Sequence, residues 1–393
     1  MVVMEVVDSK RPSAARMGLL ALVLGVTGFG GGFAVAQRLK RMLVDERRWV
    51  DEASFVEAFS VASALPGTAA TNLLTILGMR IGGARAAAFC TAAFLLPSVV
   101  LMILFGAFYD NVRSVGALSA FMDGMSFATV GVVGAVAIEM RKSAIRNRVG
   151  WILAISATAL LTLQALNLLE VVLLAGAIGI LVLRPLAPAP APRKPDDDVF
   201  PPSSLRSFLP PLPLAFAFAL PSAALFLVFA RIGVATFGGG FAMITPIEHE
   251  VVTARGWLDE PAFNHAMVLG QITPGPVAIA ATFIGYRVAG IAGALSATLG
   301  MFGPAFILSM VAARSLEAFR TSAIVQGFLL GVAPAVVGVI AAAAISLGRT
   351  TVQGGLAAAI MLATFGVLVR FPRLSPLIPL AIGGAVTLAA RYV

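Results

Sequence analysis

A single cysteine (Cys90) and two histidines (His249 and His265) among 393 residues exclude a disulfide framework and a Cys/His metal cluster. No GxxxxGK[ST] phosphate loop is present, which argues against ATP-driven pumping by this chain. The first 16 residues are polar and basic and no small-residue cleavage site follows the first apolar stretch, so no removable signal peptide is expected. Charge is scarce as well. Only 12% of residues are charged and 59% are hydrophobic, against about 25% and about 45–50% in an ordinary soluble domain. Residues 86–109, 291–313 and 321–348 carry no charge at all, and each run exceeds the roughly 20 residues that a helix needs to cross hydrocarbon. The expectation is an all-α polytopic membrane protein whose first partner is the lipid bilayer. A net charge of +9 would suggest nucleic acid in a soluble protein. Here the basic residues fall between apolar segments, where they set topology, and no nucleic acid partner is expected.

What the sequence does contain is a second copy of itself. Phe29-Gly30-Gly31-Gly32-Phe33-Ala34 recurs as Phe237-Gly238-Gly239-Gly240-Phe241-Ala242, a shift of 208. At the same shift Trp49, Asp51, Glu52 and Phe55 recur as Trp257, Asp259, Glu260 and Phe263, and Pro66-Gly67 as Pro274-Gly275. After one deletion Gly78, Arg80 and Pro97 match Gly285, Arg287 and Pro304, and the run 131–138 lies over 338–345. Between the copies, 184–213 is dense in proline, which favours extended chain and reads as a linker at the membrane surface. The domain expectation is a first repeat over 1–186, a Pro-rich linker over 187–211 and a second repeat over 212–393.

Each copy opens with an apolar segment interrupted by the glycine run, then a charged amphipathic stretch, then two short helical pieces meeting at Pro-Gly. Four further apolar segments follow. If the Pro-Gly pair is a hairpin of half-helices that does not cross, each half crosses five times and the second copy is inverted. Charge supports inversion. The stretch 38–52 carries Arg38, Lys40, Arg41, Arg47 and Arg48, whereas its counterpart 246–260 carries only Arg255. Loop 141–148 is likewise basic and its counterpart has only Arg349. Basic loops stay cytoplasmic, so the first copy's loops belong on that side. Lys10, Arg11 and Arg16 prefer the same side, which requires the glycine-interrupted first segment not to cross fully.

Helix breaks inside apolar segments survive only where protein buries them or a cavity is lined. Inverted repeats with discontinuous helices are the general sign of a secondary transporter with its site near the midplane. A helix restarting after Pro66-Gly67 or Pro274-Gly275 points free N–H groups and about +0.5 of a charge at the break. The glycine runs Gly30, Gly31, Gly32 and Gly238, Gly239, Gly240 can add a backbone concavity for anions, or simply allow close helix packing. Arg80 and Arg287 are repeat-equivalent candidates for gripping an oxyanion. Arg80 lies about 21 Å along a helix from Pro66, so snorkelling to the interface is the alternative. Glu57 and His265 are also equivalent and are the proton-coupling candidates, histidine because imidazole titrates near neutrality. Against this, Ser54 to Glu57 fits a capping box, and Asp51 and Asp259 fit N-caps, the latter ahead of Pro261. Thr68, Thr71, Asn72, Gln271, Thr273 and Thr282 lie close to the breaks and are candidate substrate contacts, or bond neighbouring carbonyls instead. Asp123 and Glu139 read as interfacial.

The second copy, from Phe237–Gly240 through Trp257 to Gly270-Gln271-Ile272-Thr273-Pro274-Gly275-Pro276 and Thr282–Arg287, closely resembles the chromate ion transporter family. The resemblance covers both halves and looks like the long form, with two homologous domains fused in opposite orientations. It implies a carrier of the cell membrane that exports chromate, an analogue of sulfate, and confers chromate resistance. Phe237–Gly240 and Gln271–Pro276 would be the second domain's signature, and Phe29–Gly32 with Pro66-Gly67 the first domain's. The first copy departs from the family pattern, with Gly32 and Thr68 where prolines are usual. Arg231 holds a position that is arginine or lysine in the family, and its first-copy counterpart is Val23.

The reading is therefore a secondary active carrier of a tetrahedral divalent oxyanion, chromate before sulfate, without cofactor, metal or enzyme activity. Sulfate uptake or exchange is the alternative within the class, and a non-transport membrane subunit the alternative outside it. A homodimer, the coupling ion and the number of crossings are left open by the sequence.

Overall fold

Glycine and proline at fixed places in otherwise apolar runs decide where this chain turns. The computed structural model describes residues 13–28, 31–183, 220–237, 239–314 and 321–392, and among these the chain is helical with no strand. The first half contributes α1 (Ala14–Thr27), α2 (Gly31–Lys40), α3 (Glu52–Ala64), α4 (Ala69–Ser114), α5 (Gly116–Ala144), α6 (Arg148–Thr162) and α7 (Leu168–Ile178). The second contributes α8 (Leu220–Ala235), α9 (Ile244–Glu248), α10 (Glu260–Ile272), α11 (Ala280–Arg314), α12 (Ala323–Thr351), α13 (Gly355–Arg370) and α14 (Leu377–Ala390). The stretch 184–213, read from the sequence as a linker, lies outside the described residues, as do Gly30 and Gly238.

Helix α4 doubles back on itself. Gly83 has φ +71°, a left-handed conformation that favours glycine. The hydroxyls of Thr75 and Thr91 consequently meet at 2.8 Å, whereas sixteen residues of straight helix would hold them about 24 Å apart. Helix α11 repeats the reversal at Gly290, φ +58°, and there Thr282 and Thr298 meet at 2.7 Å. Close approach of the two arms needs the matched glycines. A Cβ on Gly78 would lie 2.7 Å from the Ala87 Cα, and one on Gly285 only 2.3 Å from the Gly293 carbonyl oxygen.

The halves run in opposite directions. Ser98 bonds the Pro274 carbonyl, Gly106 packs on Tyr286 and Asp110 pairs with Arg287. Going from Ser98 to Asp110, α4 moves away from its own reversal at 82–83. The partners it meets, from Pro274 to Arg287, approach the second reversal at 289–290. The reversals therefore mark two opposite faces of the molecule, here called the first face and the second face. The Pro-Gly breaks lie midway between them, each about 20 Å from its own reversal.

One expectation is corrected. The first apolar segment of each half does not cross, so five crossings per half is too many. Gly18 and Gly25 of α1 pack on Phe89 and Phe94, and the Gly28 carbonyl accepts from the Gly275 amide at the level of the breaks. The chain then returns along α2, because Asp51 at the start of α3 lies within the field of Arg80 beside the first reversal. The segment is re-entrant, as the placement of Lys10, Arg11 and Arg16 required.

Beyond these re-entrant pairs the halves are interlocked. Helix α5 packs on α13 and α14 of the other half, with Gly124 against the Gly383 carbonyl and Gly131 against the Met361 carbonyl. Helix α12 packs on α6 and α7 in the same way, through Gly338 on Ala154 and Gly331 on Ala175. Small residues let backbones approach in a medium that supplies no hydrophobic force between helices. Among the described residues four helices, 69–114, 116–144, 277–314 and 323–351, are long and apolar enough to cross a membrane. Phe89, Leu96, Val100, Leu104 and Phe108 form an exposed apolar stripe along one side of α4. That stripe is what a lipid-facing helix presents.

Gly285→Val places its side chain into backbone that cannot yield, and overpacking of a tight contact costs about 1–3 kcal/mol. We expect a clear fall in detergent-solubilised Tm relative to Gly366→Val, whose site has nothing within 4 Å. Equal Tm values for the two variants would refute the tight hairpin.

Candidate functional site

At the centre, each break is tied to the other half. Gly67, with φ +93°, donates its amide to the Thr236 carbonyl at 2.6 Å. Gly275, with φ +108°, donates its amide to the Gly28 carbonyl at 3.0 Å. Thr236 and Gly28 end α8 and α1, the first helices of the opposite halves, so the two bonds are pseudo-symmetry mates. Both glycines are in the left-handed region and both are crowded. A Cβ on Gly67 would lie 2.6 Å from the Ala305 Cβ and one on Gly275 2.5 Å from Ser98 Oγ, residues that are again repeat-equivalent. Gly240 packs closely on Val277 and Ala278, which brings the second glycine run against the second break. Gly31 and Gly32 open α2.

The half-helices that restart here have no side-chain cap at Thr68 or Pro276. Their first amides keep the positive end of the helix dipole, buried close to Pro66, Gly67, Pro274 and Gly275. The nearby polar side chains are occupied elsewhere. The hydroxyls of Thr68 and Thr71 meet at 2.7 Å, Thr273 bonds the Leu269 carbonyl and Thr282 bonds Thr298. Asn72 gives both amide hydrogens to the Ala62 and Pro66 carbonyls and so caps the end of α3. Only its acceptor oxygen is left, buried and without a partner, which offers an anion nothing. Gln271 reaches Thr129 and the Met267 carbonyl. The central donors are thus backbone amides.

Arg80 and Arg287 are not brought to the breaks. Each sits near its own reversal, and the two halves handle them differently. Arg80 pairs with Glu57 at 3.1 Å, both side chains only 12% exposed. This overturns the capping-box reading of Ser54 to Glu57, because Asp51 is the N-cap of α3, bonded to the Ser54 amide, and Glu57 faces Arg80 one turn further in. Asp259 caps α10 likewise, as expected. Burial works against both charges, yet the capped amides, with Arg80 and Arg113 beside them, hold the two carboxyls below their usual value.

In the second half histidine replaces glutamate, and an imidazole is no counterion for arginine. Arg287 turns to the first half and forks onto Asp110 at 2.8 and 2.9 Å, over the face of Tyr109. His265, 2% exposed, lies between the Tyr109 hydroxyl at 2.8 Å from Nδ1 and Asp123 at 3.0 Å from Nε2. Asp123 is 44% exposed and connects the imidazole to the surface. Tyr109, Asp110 and Asp123 were not among the sequence candidates, since their partners lie more than 140 positions away in the chain.

The family model described as Chromate transporter matches residues 15–180 and again 223–388. The chain is 31% identical to the probable chromate transport protein of Synechococcus elongatus over 339 residues, covering 84% of each chain. It is 30% identical to the chromate transport protein of Cupriavidus metallidurans over 375 residues, 93% of this chain and 89% of that one. The chromate transport protein of Pseudomonas aeruginosa is 31% identical over 354 residues, 84% of this chain and 80% of its own. No solved structure matches.

Two outcomes test the centre. Gly275→Leu forces a branched side chain into a left-handed, crowded position, so transport should fall to background while the protein still inserts at wild-type level by membrane fractionation; retained transport would remove the break from the site. Arg80→Gln leaves Glu57 without its ion pair, and breaking one partner of a buried pair costs more than removing both. Glu57→Gln/Arg80→Gln should therefore have the higher Tm of the two, and the reverse order would dismiss the pair.

Proposed function

The chain belongs to the chromate transporter family, and from that premise we propose that it is a secondary active carrier exporting chromate from the cell. The observation that supports this reading best is the reciprocal docking of the two Pro-Gly breaks at the centre of an inverted pair of repeats. That arrangement gathers uncapped helix N-termini, which attract an anion, at a depth where lipid cannot supply counter-charge. Binding through backbone amides suits a compact dianion that arrives stripped of water. The exporter belongs in the cell membrane with its first face cytoplasmic, because Arg41, Arg47 and Arg48 follow α2 and Arg146 and Arg148 follow α5, with Lys40, Arg141 and Lys142 in the last turns of those helices. On the second face Arg113, Arg255 and Arg287 are each paired with an acid.

For coupling, His265 is the better of the two candidates. Glu57 is locked to Arg80, whereas His265 has a carboxylate on one ring nitrogen and a hydroxyl on the other. In the neutral ring Nε2–H donates to Asp123 and Nδ1 accepts from Tyr109. Protonation turns both nitrogens into donors, so the Tyr109 hydroxyl must rotate away. Tyr109 also stacks edge-on against Phe283 and lies under Arg287, so its movement is felt by the arm that follows the second break.

Radiolabelled chromate uptake into inside-out membrane vesicles is the direct test. Energised accumulation only weakly reduced by excess sulfate is expected. Equal block by sulfate would make the protein a general oxyanion carrier, and accumulation no greater than in vesicles lacking the protein would end the transport reading. In the same assay His265→Gln should flatten the pH profile of uptake. An unchanged pH profile would move the coupling away from the Asp123–His265–Tyr109 chain, with Asp259, Arg113 and Arg287 as the neighbouring charges to examine.

A further inference from the structure

A cavity of about 470 Å³ opens beside the glycine break of the second half. Its walls come from α8, from the stretch 245–253, from the C-terminal part of α12 and from the turn between α6 and α7. Arg349 ends α12, and the bonded carbonyl of Thr236 follows directly after Ala235 in the wall, so the cavity leads from the second face toward the central crossing.

The position of Arg231 is the first unusual feature. It lies five residues before Thr236, about 7.5 Å along the helix from the level of the breaks. An arginine at such depth costs several kcal/mol unless it faces water or an anion. Arg231 and Arg349 both line the cavity, and neither makes an ion pair or hydrogen bond with the described residues. The second feature is a pair of hydroxyls. Thr162 and Thr245 belong to the cavity wall, and their Oγ1 atoms are buried with no hydrogen-bond partner. An unsatisfied buried hydroxyl is costly, and a ligand oxygen would relieve it.

Charge in the cavity favours an anion despite two glutamates. Glu250 is neutralised by Arg255 at 3.0 Å. Burial pushes the Glu248 carboxyl above its usual value, with Glu260 adding to the effect and the Ser346 hydroxyl and His249 opposing it. With Glu250 paired, Arg231 and Arg349 outnumber Glu248 in the wall, so the cavity keeps a net positive charge, and a guanidinium binds a tetrahedral oxyanion with two parallel hydrogen bonds.

We propose that this cavity is the outer vestibule of the pathway, in which Arg231 and Arg349 hold a tetrahedral divalent oxyanion and the Thr162 and Thr245 hydroxyls complete its shell. The proposal rests on the transport reading and adds a second station to it, on the second face. The first half has no equal of this station, because Val23 stands at the place of Arg231.

The test is equilibrium retention of radiolabelled chromate by the purified full-length protein in detergent. Arg231→Gln and Arg349→Gln should each weaken retention at least ten-fold, with Arg231→Lys recovering part of the loss and all variants keeping the wild-type gel-filtration profile. Wild-type retention in both Gln variants would overturn the vestibule and leave the transport reading standing. If the wild type retains no chromate, the vestibule falls, and if its vesicles also accumulate none, the transport reading falls with it. Displacement of bound chromate by added anionic lipid would assign the cavity to a headgroup phosphate and overturn the proposal too. A second measurement does not depend on the arginine variants folding. With the sole cysteine removed as Cys90→Ala, Thr253→Cys, at an exposed position of the cavity wall, should react with a membrane-impermeant thiol reagent in right-side-out vesicles. Molybdate, a tetrahedral dianion that does not oxidise thiols, should slow that reaction several-fold, and an unslowed reaction would overturn the site.

Discussion

A helix broken in hydrocarbon must find partners for the backbone groups it frees, and here each half supplies them to the other. The amides of Gly67 and Gly275 donate to carbonyls that end α8 and α1. Were either helix end missing, a buried amide and a buried carbonyl would be stranded, at about 1–3 kcal/mol for each group. This one constraint explains why the glycines are in the left-handed region, why Ala305 and Ser98 behind them are small, and why the break occurs twice. It also explains why the halves interlock. Helices α5 and α12 find their partners across the pseudo-symmetry axis, so the contacts that hold the breaks together are continued out to the lipid.

The symmetry of the backbone is not matched by the symmetry of charge. Glu57 and His265 occupy equivalent places, yet one choice closes an ion pair inside the first half and the other sends two polar links across to α4 and α5. A salt bridge inside one half moves with that half as a body. Links between halves must be remade when the halves move relative to each other. The second face is thus wired to respond to motion, and a histidine is the group at its centre. An inverted repeat gives two faces of the same shape, and substitutions such as this one give them different chemistry.

Much of this was legible from residue order. The shifts of 208 and 207, the Pro-Gly breaks and the basic bias of one set of loops announced two inverted copies with discontinuous helices. The reversal of α4 also leaves a trace in residue order. Thr75 and Thr91 straddle Gly82-Gly83, and Thr282 and Thr298 straddle Gly290 at the same spacing, which is the signature of two arms brought side by side. What residue order could not carry was long-range pairing. Tyr109 and Asp123 look like ordinary interfacial residues until α10 lays His265 between them, and Ser54 to Glu57 fits a capping box until Arg80 arrives from 23 positions away. Local spacing cannot see a partner supplied by a distant stretch of the chain.

Inversion also carries an expectation about motion. The outer cavity is bounded by α8, the stretch after the second glycine run and the end of α12. The matching places in the first half hold Gln37, Lys40, Arg41, Glu139 and Lys142, on the first face. If the halves exchange conformations, as alternating access between inverted repeats requires, a cavity should open there while the outer one closes. That inner cavity would be more basic than the outer one. A dianion would then be gathered on the first face by lysine and arginine side chains, two of which, Lys40 and Arg41, would exchange Glu52 and Glu46 for it. It would pass the backbone amides of the breaks and leave through a vestibule with fewer charges and more hydroxyls. A gradient from dense positive charge to sparse charge lowers affinity along the path, which is the condition for release on the far side.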